Sequence, residues 1–314
     1  MDVDVLDAHK TKNSLMIIKM ISKIGLWINC ARPKTLAASI APVLVGGAMA
    51  YGDGAMSWLT FVVTLFSAIF IQVGTNFAND YYDHIKGSDT EGRVGPNRGI
   101  HTGAVSLSEM RIAYIIAFAL AMLLGVFLVL KGGLPILVIG VISVICGFFY
   151  TAGPFPLAYV GLGDIFVLIF FGPVATAGTY FLQRGEINPN VIIAGLATGL
   201  LAVAILAVNN FRDYESDKAV RKNTLVVRIG RSFGIYEYAF CLLIALAIPI
   251  YLSFANSHRL GCLLSLITFP MAITMIRRIA SRPAPEILNN LLAGTGKLLI
   301  SFSLLFTIGW LIGK

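Results

Sequence analysis

The chain has 314 residues, 57% of them hydrophobic and 13% charged, with a net charge of +8. Soluble domains carry about 25% charged residues, so this composition excludes a single soluble globular domain. The basic residues flank long apolar runs, which leaves nucleic-acid binding a poor reading of the positive charge.

Residues 1–14 are polar. Residues 15–29 mix Leu15, Ile17, Ile18, Ile21, Ile24 and Trp27 with Lys19 and Lys23, too short and too charged a stretch to span a bilayer. This pattern predicts an interfacial helix, making 1–30 a cytoplasmic tail and surface helix and 31–314 one membrane domain. No cleavable signal pattern precedes it. At about 20 residues per span, apolar runs at 36–52, 57–79, 112–130, 134–152, 163–182, 191–210, 235–254, 260–276 and 292–312 predict nine transmembrane helices. The expected fold is therefore an all-α polytopic membrane protein. Cys146, Cys241 and Cys262 read as apolar fillers within helices and Cys30 as an interfacial residue; none has metal-ligand spacing.

Of the 24 Lys and Arg residues, all but Lys131, Arg184, Arg259 and Lys314 fall on one side when the nine spans alternate. The positive-inside rule makes that side cytoplasmic, with the N-terminus there, and predicts a multi-pass protein of a bacterial cell (inner) membrane. Two long cytoplasmic connections, about 80–111 and 211–234, hold Asp80, Asp83, Asp89, Glu91, Glu109, Asp213, Glu215 and Asp217.

Each of these connections opens on the same grammar. Asn76, Asn79, Asp80 and Asp83 close the second span, and Asn209, Asn210, Arg212, Asp213 and Asp217 follow the sixth. The spacings Asp80/Asp83 and Asp213/Asp217 put each acid pair on one helix face, with Asn76 and Asn209 one turn before. Paired carboxylates without His or Cys suit Mg²⁺, which completes its shell with water and phosphate oxygens. Lys86, Arg98, Arg212 and Lys222 add phosphate-binding charge in the same loops. A charged head held there, with an apolar tail among helices, describes a prenyl diphosphate. Loss of diphosphate would leave an allylic cation, for which Tyr81, Tyr82, Phe148, Phe149, Tyr150 and Tyr159 are candidate aromatic walls. Single acids at span ends, such as Asp164 and Glu237, read as solvated caps. The rival of another class is a cation-coupled transporter, which would place its acids near the bilayer midplane on broken helices.

These residues resemble the UbiA-type intramembrane aromatic prenyltransferases, whose fold is a nine-helix bundle around a central cavity with cytoplasmic cap loops. More narrowly they resemble the branch that prenylates 1,4-dihydroxy-2-naphthoate. The resemblance runs from about residue 27 to 230 and rests on Arg32 to Leu36, Asn76 to Asp89, Gly95 to Arg98, Tyr150 to Pro154, Asn209 to Asp217 and Lys222 to Gly230. It implies Mg²⁺-dependent transfer of a polyprenyl group from its diphosphate to the naphthoate, with loss of CO₂ and diphosphate, giving demethylmenaquinone. Another aromatic acceptor, such as 4-hydroxybenzoate or homogentisate, is the alternative within the family. By this resemblance Asp80, Asp83, Asp213 and Asp217 bind metal, helped by Asn76 and Asn209. Lys222 contacts diphosphate, and Arg98 holds diphosphate or the acceptor carboxylate. Asn79, Lys86, Tyr150, Asn210 and Arg212 complete the substrate-binding set. The wider family often has a third acid four residues after Asp83, where this chain has Gly87; Asp89 is the nearest substitute ligand.

Overall fold

The computed structural model describes residues 23–87, 99–100, 103–255 and 259–313, and all regular structure among them is helical. Residues 23–31 form α1, which continues past the expected interfacial stretch and packs onto the bundle. Trp27 lies edge-on to Phe77 with ring centroids 5.5 Å apart. Cys30, expected at an interface, is buried beside Phe77, Ile100 and Val105.

The spanning helices follow in chain order: α2 Pro33–Gly52, α3 Trp58–Ile85, α4 Leu107–Phe148, α5 Gly163–Arg184 and α6 Pro189–Arg212. After the short helices α7 Tyr214–Ala219 and α8 Leu225–Ile229 come α9 Arg231–Ala255, α10 Leu260–Ala280 and α11 Pro285–Ile312. Local sequence explains the starts. The Ser57 side chain accepts from the Thr60 N–H, Ser106 and Glu109 form a reciprocal capping box, and Asn188 caps α6 with Pro189 in the first turn.

Eight helices among the described residues are long and apolar enough to cross a membrane. Nine were expected, and the difference lies in α4, which covers two of the expected spans. Its 42 residues would reach about 63 Å as one helix, against a hydrocarbon core of about 30 Å. The backbone breaks at Gly133 (φ 65, ψ −152), two residues before Pro135. Only glycine tolerates that conformation, so the chain turns at the position that separates the expected spans 112–130 and 134–152. The protein is an integral membrane protein. Large apolar side chains point outward along the spans, Leu123 and Leu130 being 68% and 81% exposed, a pattern suited to lipid.

Helices α2, α3, α4, α5, α6, α9, α10 and α11 pack in sequence around the molecule, and α11 closes on α2. Helix α6 is the most enclosed, with 78% of its span buried, and meets α2, α5, α9 and α11. Small residues permit that crowding. The α5 helix passes through a π-helical turn at Phe170–Val174 around Gly172 and Pro173. There Gly172 seats against Gly195 and Gly199 of α6. A Cβ on Gly199 would strike the Leu168 carbonyl oxygen and lie 3.0 Å from the Gly172 Cα. Backbone cannot yield as a side chain can, so Gly199→Val is expected to cost about 3 kcal/mol by overpacking. The check is thermal unfolding of the detergent-purified variant; an unchanged midpoint would refute the close α5–α6 contact.

Candidate active site

The α3 helix runs six residues beyond the expected end of its span, to Ile85. Asp80 and Asp83 therefore stand on its last turns, not in a loop. The reason is packing: Tyr82 sits edge-on to Phe148, at 5.5 Å, and tilted against Tyr114, at 6.3 Å, so α4 holds this end of the helix. Asn76, Asn79, Asp80 and Asp83 recur at helical spacing and are all buried. Burying polar groups is costly unless they are bonded, and each has partners.

Asn76 donates to the Ala31 carbonyl oxygen (2.9 Å) and to the Thr35 hydroxyl (3.2 Å), and accepts from Gln72 (3.3 Å). Asn79 accepts from Thr151 Oγ1 (2.8 Å). Asp80, 1% exposed, pairs with the Arg32 guanidinium. Arg32 reaches it from a left-handed backbone conformation, φ 54 and ψ 67, at the break between α1 and α2. A non-glycine residue in that region is strained, and Pro33 after it already disfavours continuing the helix. Asp83 accepts from the Tyr159 hydroxyl (2.9 Å).

The connection between α4 and α5 is thereby tied to the end of α3. Lys86 strengthens the tie, its Nζ donating to the carbonyl oxygens of Thr151 (2.6 Å) and Gly153 (3.3 Å). It also lies 4.7 Å from the Tyr159 ring centroid. The Asn223 N–H then donates to the Tyr159 carbonyl oxygen (3.1 Å), which links the connection to the segment after α6.

On that second segment Asp213 is the junction residue between α6 and α7, and its carbonyl oxygen accepts from the Asp217 N–H (2.8 Å). The acid pair thus keeps one face across the junction. Arg212 grips Asp213 with two hydrogen bonds of 2.7 Å, and donates to Asn209 and Asn289 at 2.8 Å. Arg212, expected as a substrate ligand, holds Asp213 in place. Lys222 Nζ meets Asp217 Oδ1 at 3.2 Å, while Oδ2 is buried with no hydrogen-bond partner. Burial pushes the Asp217 carboxyl up to about 6, with Lys222 opposing and the charges of Asp213 and Asp83 adding to the rise. Acids from both sequence motifs therefore feel one another.

Both motifs reach a cavity of about 720 Å³, although of their four acids only Asp83 lines it. Asn76, Asn79, Asp83, Asn209, Asn210 and Lys222 line it. Tyr150, also in its wall, lies in the connection beyond the end of α4. Burial, followed by the charges of Asp164, Asp83 and Asp217, pushes its phenol far above its ordinary range. The remaining wall is mainly apolar, broken by Arg32, Gln72, Asp164 and several Ser and Thr side chains. Among the described residues no three His, Cys, Asp or Glu side chains form a ready-made metal cage. Asp89 and Arg98 lie outside the described residues.

Of the six candidate aromatic walls, only Tyr150 lines this cavity. Tyr81, Tyr82, Phe148 and Phe149 are joined in a chain of edge-to-face contacts between α3 and α4. The aromatic lining comes instead from Phe166, Phe170 and Phe171 of α5. Sequence reasoning also passed over Asp164, which is 6% exposed and faces the cavity rather than capping a helix in water. The role of Arg32 was hidden too, since nothing in the sequence pairs it with an acid 48 positions away.

The profile of the UbiA prenyltransferase family matches residues 39–293. A 1,4-dihydroxy-2-naphthoate octaprenyltransferase of Haemophilus influenzae is 37% identical, covering 94% of this chain and 99% of that protein. Its namesake in Escherichia coli is 36% identical over 94% and 97%. Among solved structures, a UbiA homolog from Archaeoglobus fulgidus bound to GPP and Mg²⁺ superposes with a TM-score of 0.64 at 19% identity, covering 89% of this chain and 99% of that one. The apo UbiA homolog from Aeropyrum pernix gives 0.66 at 15% identity, over 88% and 97%. A family pattern that spans most of the chain, on a bundle with the same architecture, leads to one conclusion: this protein belongs to the UbiA prenyltransferase family.

Proposed function

We propose that the protein transfers a polyprenyl group from polyprenyl diphosphate to 1,4-dihydroxy-2-naphthoate, releasing CO₂ and diphosphate. The observation that carries this reading is the convergence of both Asn/Asp motifs on the polar end of one long apolar cavity. The donor set suits Mg²⁺: hard oxygens only, with a buried Asp217 oxygen that lacks a partner. Asp80 with Asp83, and Asp213 with Asp217, would each hold a Mg²⁺ ion, which would supply neutralisation of charge on the departing diphosphate.

The protein's own residues do the rest. Lys222 offers a cation at the cavity end, as a phosphate ligand or as the counter-charge of Asp217. Asn76, Asn79 and Asn209 present amides along the same faces. The apolar walls take the isoprenoid tail and keep water from the allylic carbon. The Phe166, Phe170 and Phe171 rings offer π-faces along the cavity. The acceptor ring attacks the allylic carbon, and the naphthoate carboxylate leaves as CO₂.

The site lies at the end of the bundle that carries the basic segments around residues 32–34, 212–231 and 277–282. The positive-inside rule makes this end cytoplasmic in a bacterial inner membrane. Residues 1–30 would form the tail and the surface helix there, and 31–314 the membrane domain.

Purified protein given a polyprenyl diphosphate, the naphthoate and Mg²⁺ is expected to release CO₂ and a prenylated naphthoquinol. Chelation by EDTA is expected to abolish turnover, and added Mg²⁺ to restore it. Use of 4-hydroxybenzoate or homogentisate in place of the naphthoate would reassign the acceptor. Turnover that persists in EDTA would remove the metal from the mechanism, and ion transport without prenylation would favour a transporter.

A further inference from the structure

A second cavity, of about 360 Å³, lies among α5, α6 and α9. Asp164 is the one residue in the lining of both this cavity and the larger one. It stands in the first turn of α5 and is 6% exposed. Its Oδ1 is buried and has no hydrogen-bond partner. A buried carboxyl oxygen without a donor is rare in a native protein and calls for a reason.

The other charged groups in the larger cavity are occupied. Arg32 pairs with Asp80, Tyr159 donates to Asp83, and Lys222 meets Asp217. Asp164 is set apart from them by Tyr150. A Cβ on Gly163 would lie 3.0 Å from the Tyr150 hydroxyl oxygen, so that phenol rests against the residue preceding Asp164. Tyr150 in turn feels the charges of Asp164 on one hand and of Asp83 and Asp217 on the other. On the far side, Glu237 and Cys241 of α9 are the titratable neighbours. No described Lys or Arg lines either cavity near Asp164 other than those already paired.

An anionic carboxyl in this position repels a diphosphate. It attracts a neutral hydroxyl donor. We propose that Asp164 is the general base for the acceptor: its carboxylate receives the ring-hydroxyl proton. This assignment rests on reading the chain as an aromatic prenyltransferase. The proton passes from the ring oxygen to Asp164 as the ring electron pair forms the bond to the allylic carbon. The bond from that carbon to the diphosphate oxygen breaks, and diphosphate leaves with its electron pair. The ring carbon–carboxylate bond then breaks, and its electrons restore the aromatic ring as CO₂ departs. The ring oxygen recovers its proton from Asp164, which ends as it began, so no outside acid, base or oxidant is needed.

Asp164→Asn keeps the shape and removes the base. Turnover with the naphthoate is expected to fall about a hundredfold or more, while the KM for the prenyl diphosphate changes less than about twofold. Ring-fluorinated acceptors, with more acidic hydroxyls, should narrow the gap between variant and wild type, which a merely structural role would not do. An Asp164→Asn variant as fast as wild type overturns the proposal. So does a loss that is the same for every acceptor, or one found in Glu237→Gln with Asp164→Asn unaffected. If Asp164→Asn does not fold, single turnover of the wild type in D₂O decides. A normal solvent isotope effect on carbon–carbon bond formation is expected, and its absence overturns the assignment. A wild type that does not prenylate the naphthoate at all would instead fail the functional reading.

Discussion

Asp80→Asn is expected to lower turnover about a hundred- to a thousandfold, the scale on which preorganised electrostatic groups act, with little change in thermal stability. The side chain is 1% exposed but its partner is not trapped: the Arg32 side chain retains 27% of its exposure. When the carboxylate becomes an amide, the guanidinium keeps a neutral acceptor and access to water. The interior is therefore not left with an unpaired ion. What disappears is a negative charge on the inner face of α3, where a divalent cation would be held. Steady-state assays and an unfolding curve on the same preparation make the test. Turnover within about threefold of wild type would refute a metal role for Asp80.

The equivalent change on the other motif should behave differently. Asp213→Ala is expected to destabilise the protein by about 3–5 kcal/mol, because it strands a buried cation. The Arg212 side chain is 2% exposed, and its two hydrogen bonds to Asp213 would be lost. Asn209 and Asn289 remain as neutral acceptors and cannot replace the charge. Loss of activity in this variant alone would therefore say little about chemistry. Asp213→Asn, which keeps an acceptor for Arg212, should recover much of the stability while remaining inactive. Denaturation of the two variants side by side separates the effects. An Asp213→Ala protein as stable as wild type would mean that Arg212 finds another anion.

The contrast between two acids in matching positions also marks how far sequence reasoning reached. Asn76, Asn79, Asp80 and Asp83 were legible because helical spacing is local: residues three and four apart share a face whatever surrounds them. The break in α4 was legible for the same kind of reason, since Gly132, Gly133 and Pro135 interrupt an apolar run too long for one crossing. The end of α3 was misplaced because its last turns are polar. Their helix is sustained by the contacts of Tyr82 with Tyr114 and Phe148 rather than by apolar periodicity.

The occupations of Arg32, Arg212 and Asp164 were not legible. Arg212 reads as a phosphate ligand in the sequence because a guanidinium beside acids suits either use, and its bonds to Asp213, Asn209 and Asn289 come only from the fold. Asp164 looked like a solvated cap because a single acid at a span end usually is one. Its burial follows from the connection carrying Tyr150 folding over it, which no short-range pattern encodes.

Composition and periodicity by themselves determined that this is a helical membrane protein, which runs form its spans, and that two polar motifs of one grammar close two of them. These follow from the cost of removing charged groups from water into lipid and from the fixed pitch of a helix, both local along the chain. Only the tertiary structure decided that both motifs open on one cavity, that α5 supplies its aromatic wall, and that Arg212 serves a neighbour. It alone placed Asp164 between two cavities. Those outcomes depend on which helix faces which and on how each is rotated about its axis, and that choice is made by packing, with Gly172, Gly195 and Gly199 bringing α5 and α6 together.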